Sequence, residues 1–495
     1  MQTSNYKLMP FQFIRMPDAS ILLVNEGGEF YFLEEDYFYK LIDDSLDSQS
    51  DTFLDLKSKQ FLTDSQLTPV IDMLATKLRT RKAYLKNFTS LHMVVVTLHC
   101  NHRCSYCHAS SEEEKGTSWH MSPDTGRKVV DTIFRTPSRT IKIEFQGGEP
   151  LLNWKTITEI VQYAEMKNQA ECKNLEFVLC TNLTLIDEEK LDFIKEHNIL
   201  VSSSFDGPKE IHDSNRILRL GGSSYDQYIE KLNLTRNIIG KDKVSALMTT
   251  TRLSLENINR IIDEYIRLDF DGIFLRALNP FGFAKEDESI IGYSTEKFVE
   301  VYKKALDYII QININGRIFP EFFTTLLLSR ILTPFTTGFV DLQSPAGTGI
   351  AGVIYNYNGD VYPSDEARML AKMGDKKFRM GNVYSSDYLD MFSQKGILGE
   401  MLANSLVESI PGCAWCAFQQ YCGADPVRNY SDQGDLTGFR PTNDFCKKHK
   451  AIFKHLFSLI KQNDEEVMSV FWSWITKRPF KDIVYVDSSR QSSSN

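Results

Sequence analysis

Three cysteines on one short loop, Cys100-Asn-His-Arg-Cys104-Ser-Tyr-Cys107, carry the most specific chemical signal in the chain. Thiolates spaced C-x3-C-x2-C can converge on one face, ligate three irons of a cubane cluster and leave the fourth iron open. Zinc is the alternative metal. A structural zinc site closes a tetrahedron of four protein ligands, so His102 or His108 would have to complete it. Three unliganded core cysteines are the remaining alternative. A second set, Cys413-Ala-Trp-Cys416, Cys422 and Cys446, reads C-x2-C-x5-C-x23-C. Four thiolates at that spacing suit one fully ligated site, iron–sulfur or zinc, and spacing does not choose between them. Cys172 and Cys180 stand apart and are expected to be buried, inert thiols.

The elements that must position these groups are legible in outline. The chain has 495 residues, enough for several domains, and its 42% apolar content can build a large core without disulfides. Net charge is −9, spread along the chain, which argues against a nucleic-acid-coating protein. No secretory h-region and no membrane-length apolar run is present, so the expected setting is cytoplasmic, without a membrane. Closely spaced cysteines in such a setting indicate metal binding rather than disulfides.

From Leu91 to Leu278 apolar strands alternate with amphipathic helices. The strand candidates are Met93–Leu98, Ile141–Phe145, Phe177–Thr181, Val201–Phe205, Val244–Thr249 and Ile273–Leu278. Six such units imply a parallel sheet with helical crossovers, whose functional groups sit past the carboxyl ends of the strands. Cys100 follows the first strand and Gly147-Gly148-Glu149-Pro150 the second. Glycines let backbone approach a ligand, and Glu149 could face an ammonium group. Ahead of this region lie β-prone runs and an amphipathic helix from Thr68-Pro69 to about Lys86, with Val70, Met73, Leu74, Leu78 and Leu85 on its stripe. The basic run Lys77–Lys82 reads as a solvated face or an acidic partner's contact. Beyond the strands, Asn358-Gly359 marks a β-hairpin.

With Tyr106 before its last cysteine, the C-x3-C-x2-C loop resembles the signature of the radical S-adenosylmethionine superfamily, and Gly147–Pro150 resembles its GGEP loop. The resemblance implies a [4Fe-4S] cluster held by Cys100, Cys104 and Cys107, with S-adenosylmethionine chelating the open iron. Reductive cleavage of that cofactor yields a 5′-deoxyadenosyl radical that abstracts a substrate hydrogen. Thr181-Asn182 matches the Thr-Asn of a Thr-Asn-Gly motif, with Leu183 in place of glycine. Val201–Pro208, with His212, Asp213 and Arg216, is similar to a stretch of peptide-modifying members that places Ser204 and Asp206 near the cofactor's ribose and methionine. Arg276 is expected to help position the carboxylate. The implied cofactor-binding set is therefore Tyr106, Gly147, Gly148, Glu149, Pro150, Asn182, Ser204, Asp206 and Arg276.

The second cysteine set resembles part of the SPASM extension of radical peptide-modifying enzymes. Ser364 stands where that pattern has the cysteine of G-x4-C, and Pro426 where it has the cysteine after Cys422. These gaps imply that the first auxiliary cluster is missing, leaving one auxiliary [4Fe-4S] cluster on Cys413, Cys416, Cys422 and Cys446. Asp365 matches an acidic residue that serves as catalytic base in sulfatase-maturing relatives. The N-terminal module and Gly359–Leu370 resemble the His-Xaa-Ser system radical maturases of the B type.

The expected fold is α/β: a partial (β/α)6 barrel at residues 91–285 behind a small, winged-helix-like α+β module at 1–90. A helical connection follows at 286–342, then a SPASM-like domain at 343–480 and a disordered tail at 481–495. The resemblance implies a ribosomal precursor peptide as substrate, a flavodoxin or ferredoxin-type electron donor, and a second maturase as a further partner. The N-terminal module would bind a leader peptide by adding a strand to its ribbon. The alternatives are a formylglycine-forming sulfatase maturase and a non-catalytic zinc scaffold.

Overall fold

The computed structural model describes residues 6–86, 88–107, 111–112, 118–279, 281 and 283–483. His108 and most of the expected tail, 484–495, lie outside the described residues. Six strands form one parallel sheet, in the spatial order Val244–Leu247, Leu200–Ser204, Asn174–Thr181, Thr140–Gly147, Leu91–Thr97 and Gly352–Tyr355. Asp360–Tyr362 and Gly381–Asn382 extend it as antiparallel strands. Helical crossovers cover one face, as the α/β pattern requires. One of them, Pro123–Ile133, starts where Ser122 Oγ accepts from Thr125 N, with proline in its first turn.

The strand Thr140–Gly147 shows how alternation makes a lined interior. Ile141, Ile143 and Phe145 are fully buried toward the helices, whereas Lys142, Glu144 and Gln146 line a central cavity. Side chains two apart share a face, so one strand serves both the core and the cavity.

The sixth expected strand differs. Among the described residues, Ile273–Leu278 joins no sheet and forms an isolated bridge, Ile273 to Glu321. Glu321 Oε1 accepts from Leu275 N at 3.0 Å, removing a donor that a ladder would use. Thr250 ties the segment to the fifth strand's end instead, its amide and hydroxyl both bonding Arg276 O. The sixth parallel strand comes from the expected hairpin, whose first arm, Gly352–Tyr355, pairs with Leu91–Thr97.

The N-terminal module is a three-stranded antiparallel sheet, Phe11–Arg15, Ile21–Asn25 and Phe30–Leu33, with helices Glu35–Ile42, Asp51–Ser58 and Leu67–Arg81. The middle strand is buried on both faces: Ile21 and Leu23 join the module's own core, while Leu22 and Val24 join the main core. The helical stripe is thinner than its periodicity implies, because of its five residues Leu74 is buried and Met73 and Leu85 are exposed. Of the four cations in the basic run Arg79 is exposed, whereas Lys77, Arg81 and Lys82 are engaged within the chain. Lys77 pairs with Glu29 and Lys82 with Glu408. Arg81 donates to Gly27 O, Gly28 O and Arg330 O. These contacts pin the module onto the rest of the chain. Helices Thr295–Ile314 and Phe322–Leu332 form the connection toward the C-terminal part. Among the described residues, no helix is long and apolar enough to cross a membrane.

Candidate active site

A cavity of about 860 Å³ opens at the carboxyl ends of the parallel strands, and Cys100, Cys104 and Cys107 all line it. The loop that carries them is pinned at several points. His102–Cys104 pairs antiparallel with Arg216–Leu218, Ser105 N bonds Asn215 O, and Arg219 Nε bonds Cys100 O. His102 N donates to Cys100 Sγ at 3.3 Å, a contact that favours a thiolate. Burial nonetheless pushes the Cys100 thiol well up, with Cys104 and Glu149 adding to the rise. It also pushes Cys104 to about 12 despite the opposing charge of Arg216. Thiols this costly to ionise call for a cation among them.

Among the described residues, no three cysteine, histidine or carboxylate side chains converge closely enough to hold a single metal ion. A cubane takes its thiolates at separate corners and suits the wider arrangement. His102, the alternative fourth zinc ligand, is held neutral by burial, its pKa lowered to about 4, and its Nδ1 meets Asn182 Nδ2 at 2.9 Å.

The glycine loop has a different reason for its glycines than ligand approach alone. A Cβ on Gly147 would stand 2.2 Å from Thr97 O, and one on Gly148 2.2 Å from His99 O. The loop is clamped against the cysteine-bearing chain by Gly148 N to Thr97 O and Glu149 N to His99 O. Both glycines also line the cavity. Glu149 departs from expectation. Its side chain is 1% exposed and turned inward, accepting from Leu151 N, Thr181 Oγ1 and Asn182 N. It caps the short turn Pro150–Asn153 and ties the third strand's end to the loop, so its carboxylate does not face the cavity as an ammonium partner. Burial raises its pKa to about 7. Pro150 is buried in the same turn.

Asp206 is likewise inward and fully buried, outside the cavity wall. It accepts from Tyr106 Oη at 2.6 Å and from Arg216 Nε and a second guanidinium nitrogen, each at 3.1 Å. Asp206 therefore orients two cavity-lining side chains instead of meeting a cofactor itself. Asn182, Ser204 and Arg276 line the cavity. Asp365 lines it too, at the start of the helix Asp365–Lys372, with one oxygen committed to Arg368 Nε at 2.7 Å. Ser364, in the cysteine's place, is that helix's cap, its Oγ accepting from Ala367 N.

The second cysteine set closes on itself. Cys413, Cys416, Cys422 and Cys446 line one small cavity with Arg440 and Lys450. Burial raises Cys413 to about 11, with the other thiolates adding and Arg440 opposing. Pro426 begins a helix capped by Asp425. Four partly buried thiols lining one small cavity suit one closed cluster site, each thiolate at its own corner. Of the two isolated cysteines, Cys172 is exposed, contrary to expectation, whereas Cys180 lines the main cavity and burial pushes its thiol well up, with Glu144 adding.

Sequence reasoning passed over a cluster on the far wall of the main cavity. Asp341, Glu366 and Asp425 converge there with Arg276, Arg428 and Lys448. Burial raises Asp341 to about 6 and Asp425 to about 7, with Glu366 adding in both cases. Lys448 is lowered to about 7 by burial, with Arg428 adding. These residues come from five separate segments, and no local spacing connects them.

Residues 94–264 match the Radical SAM superfamily. The chain is 25% identical to a cysteine-type anaerobic sulfatase-maturating enzyme of Clostridium perfringens, over 72% of this chain and 93% of that one. Its fold is similar to anSMEcpe with bound AdoMet and Cp18Cys peptide, at a TM-score of 0.61 and 22% identity over 76% of this chain and 98% of that one. It is also similar to Streptococcus suis SuiB bound to precursor peptide SuiA, at a TM-score of 0.53 and 14% identity over 89% of this chain and all of SuiB. A non-catalytic scaffold is set aside: the thiol loop and the glycine loop both lie in the region, residues 94–264, that matches the Radical SAM superfamily, and the chain is an enzyme similar in sequence and fold to maturases.

Proposed function

We propose that this enzyme modifies a ribosomally made precursor peptide, using a 5′-deoxyadenosyl radical to abstract a hydrogen and form a cross-link on a His-Xaa-Ser type precursor. The observation that carries this reading is the single cavity. It joins the three thiols and the glycine loop at one end to the walls of the C-terminal part at the other, leaving room for a cofactor and a peptide segment. A [4Fe-4S] cluster on Cys100, Cys104 and Cys107 would supply the electron that cleaves S-adenosylmethionine. Around it, Gly147, Gly148, Asn182, Ser204 and Arg276 border the space for that cofactor, and Tyr106 and Arg216 are fixed by Asp206. Cys413, Cys416, Cys422 and Cys446 hold one auxiliary cluster on this reading. Residues 1–90 recognise the leader peptide; the described edge strands of the three-stranded sheet, Phe11–Arg15 and Phe30–Leu33, are the sites for strand addition. A flavodoxin or ferredoxin-type donor and a second maturase complete a cytoplasmic system.

Co-expression with a short precursor bearing His-Xaa-Ser repeats, followed by tandem mass spectrometry, tests the reading. Loss of two hydrogens at a defined residue is expected, and an unchanged precursor counts against it. A formylglycine-forming activity is the second reading, favoured by the 25% identity across nearly all of the sulfatase-maturating relative. Ser364, capping a helix where a cluster cysteine is expected, weighs against it.

A further inference from the structure

Resting on the peptide-oxidising reading above, the geometry points to Asp425, acting with Glu366 and Asp341, as the group that takes up the proton the substrate gives up. Five segments converge to build this wall: the strand-like end at Arg276, the connection at Asp341, the helix at Glu366, the helix that Asp425 caps and that carries Arg428, and the helix Asp444–Gln462 at Lys448. Asp425 Oδ1 is used by the amides of Val427 and Arg428. Its second oxygen has no hydrogen bond among the described residues. Glu366 is steadied by Asn279 Nδ2 at 3.1 Å. The cations Arg276, Lys448 and Arg428 act on Asp341 and Arg428 also on Asp425, and Arg428 is shared with Asp432 at 3.5 Å.

Two further side chains that line this cavity, one of them on the helix that carries Glu366, mark it as a place for a ligand. Arg368 is 3% exposed and its Nη1 has no partner; Thr348 is 6% exposed and its hydroxyl has none. Both line the cavity, and they are neighbours, since Gly349 N bonds Pro363 O and Arg368 N bonds Ser364 O. Buried polar groups without partners are costly, so a polar ligand that supplies them is favoured. A peptide backbone or side-chain oxygen has that chemistry. Asp365, the nearby alternative, already gives an oxygen to Arg368. Burial and mutual repulsion hold Asp341 and Asp425 near neutrality, where a carboxylate is an effective base.

The step balances as follows. A substrate C–H bond breaks homolytically and its hydrogen atom joins the 5′ carbon, giving 5′-deoxyadenosine. The substrate radical then passes one electron to an iron–sulfur one-electron acceptor. The proton released as the new bond forms goes to the Asp425 carboxylate, for a net loss of two hydrogens.

The test compares D425N, D425E and E366Q with wild type, each with matched iron content and with the co-expressed precursor. Product formation should fall about a hundredfold in D425N while 5′-deoxyadenosine continues to form, uncoupling the two, and D425E should restore part of the product. An unchanged ratio of product to 5′-deoxyadenosine in D425N would overturn the proposal. If D425N does not fold, E366Q decides. Removing its charge lowers the Asp425 pKa, so the acidic limb of product formation must move to lower pH, and an unmoved limb overturns the assignment. Failure of wild type to form any product would instead overturn the peptide-oxidising reading.

Discussion

Tyr106 and Asp206 meet 2.6 Å apart across 100 residues of chain, and through this contact the cysteine loop is fastened to the fourth strand's end. Arg216 is 9% exposed and Asp206 fully buried, so the pair is screened little by solvent. Asp206→Asn leaves the Arg216 charge buried without its counter-ion, at a cost of about 3–5 kcal/mol. Tyr106→Phe removes one of several donors and costs about 1 kcal/mol. Urea midpoints of the apo-protein check both, and a D206N midpoint equal to wild type would contradict the pairing.

Iron quantitation separates the two cysteine sets. Reconstituted wild type should hold about eight iron per chain, and Cys→Ala at Cys100, Cys104 and Cys107 together should leave about four. Values near twelve would show a third cluster, and a colourless, zinc-loaded protein would overturn the enzyme reading.

The clamp between the glycine loop and the cysteine-bearing chain is steric. Gly148→Ala places a methyl group 2.2 Å from His99 O, a backbone atom that cannot swing away. Overpacking of this kind costs roughly 1–3 kcal/mol. G148A should show weakened iron uptake and little 5′-deoxyadenosine; normal values for both would refute the clamp.

Ser364 is expected to act as a helix cap and not as a vestigial ligand. Ser364→Ala should cost about 1 kcal/mol through loss of the bond to Ala367 N. Ser364→Cys should leave the iron content unchanged, because Pro345–Gly352 offers no cysteine to complete a further site. A gain of four iron in S364C would refute this.

His92 gives the fold a defined acid sensitivity. It is 1% exposed, stacks on Tyr355 and bonds Thr89 O, and burial lowers its pKa to about 3. An unfolded chain would protonate it near pH 6.5, so between these values the unfolded state binds the extra proton. Stability is therefore full above about pH 6.5 and is lost as pH falls toward 3, by roughly 1.4 kcal/mol per unit. His92→Gln should remove one proton's worth of that slope in pH-dependent urea titrations. An unchanged slope would mean that His92 is not the group involved.

The legible parts of this molecule are those set by local spacing. Cys100, Cys104 and Cys107 fall within eight residues, and the strand before them carries its own apolar signature, so loop and strand were readable together. The direction of Glu149 and Asp206 was not, because it depends on partners such as Asn182 and Arg216 supplied by other segments. The fate of Ile273–Leu278 depended on one buried acid, Glu321, capturing an amide. The six-charge wall was invisible for the same reason: Asp341 and Asp425 gain meaning only when folding sets them beside Glu366.

The pairing of Gly352–Tyr355 with Leu91–Thr97 has an order-of-synthesis consequence. During translation, the strand that delivers the cysteine loop is the open margin of an incomplete sheet until some 260 further residues have been made. Unpaired strand margins recruit wrong partners. The late hairpin ends that exposure and finishes the cavity wall in one event, so a nascent chain released before Gly352 has neither a protected catalytic strand nor a complete place for its substrate.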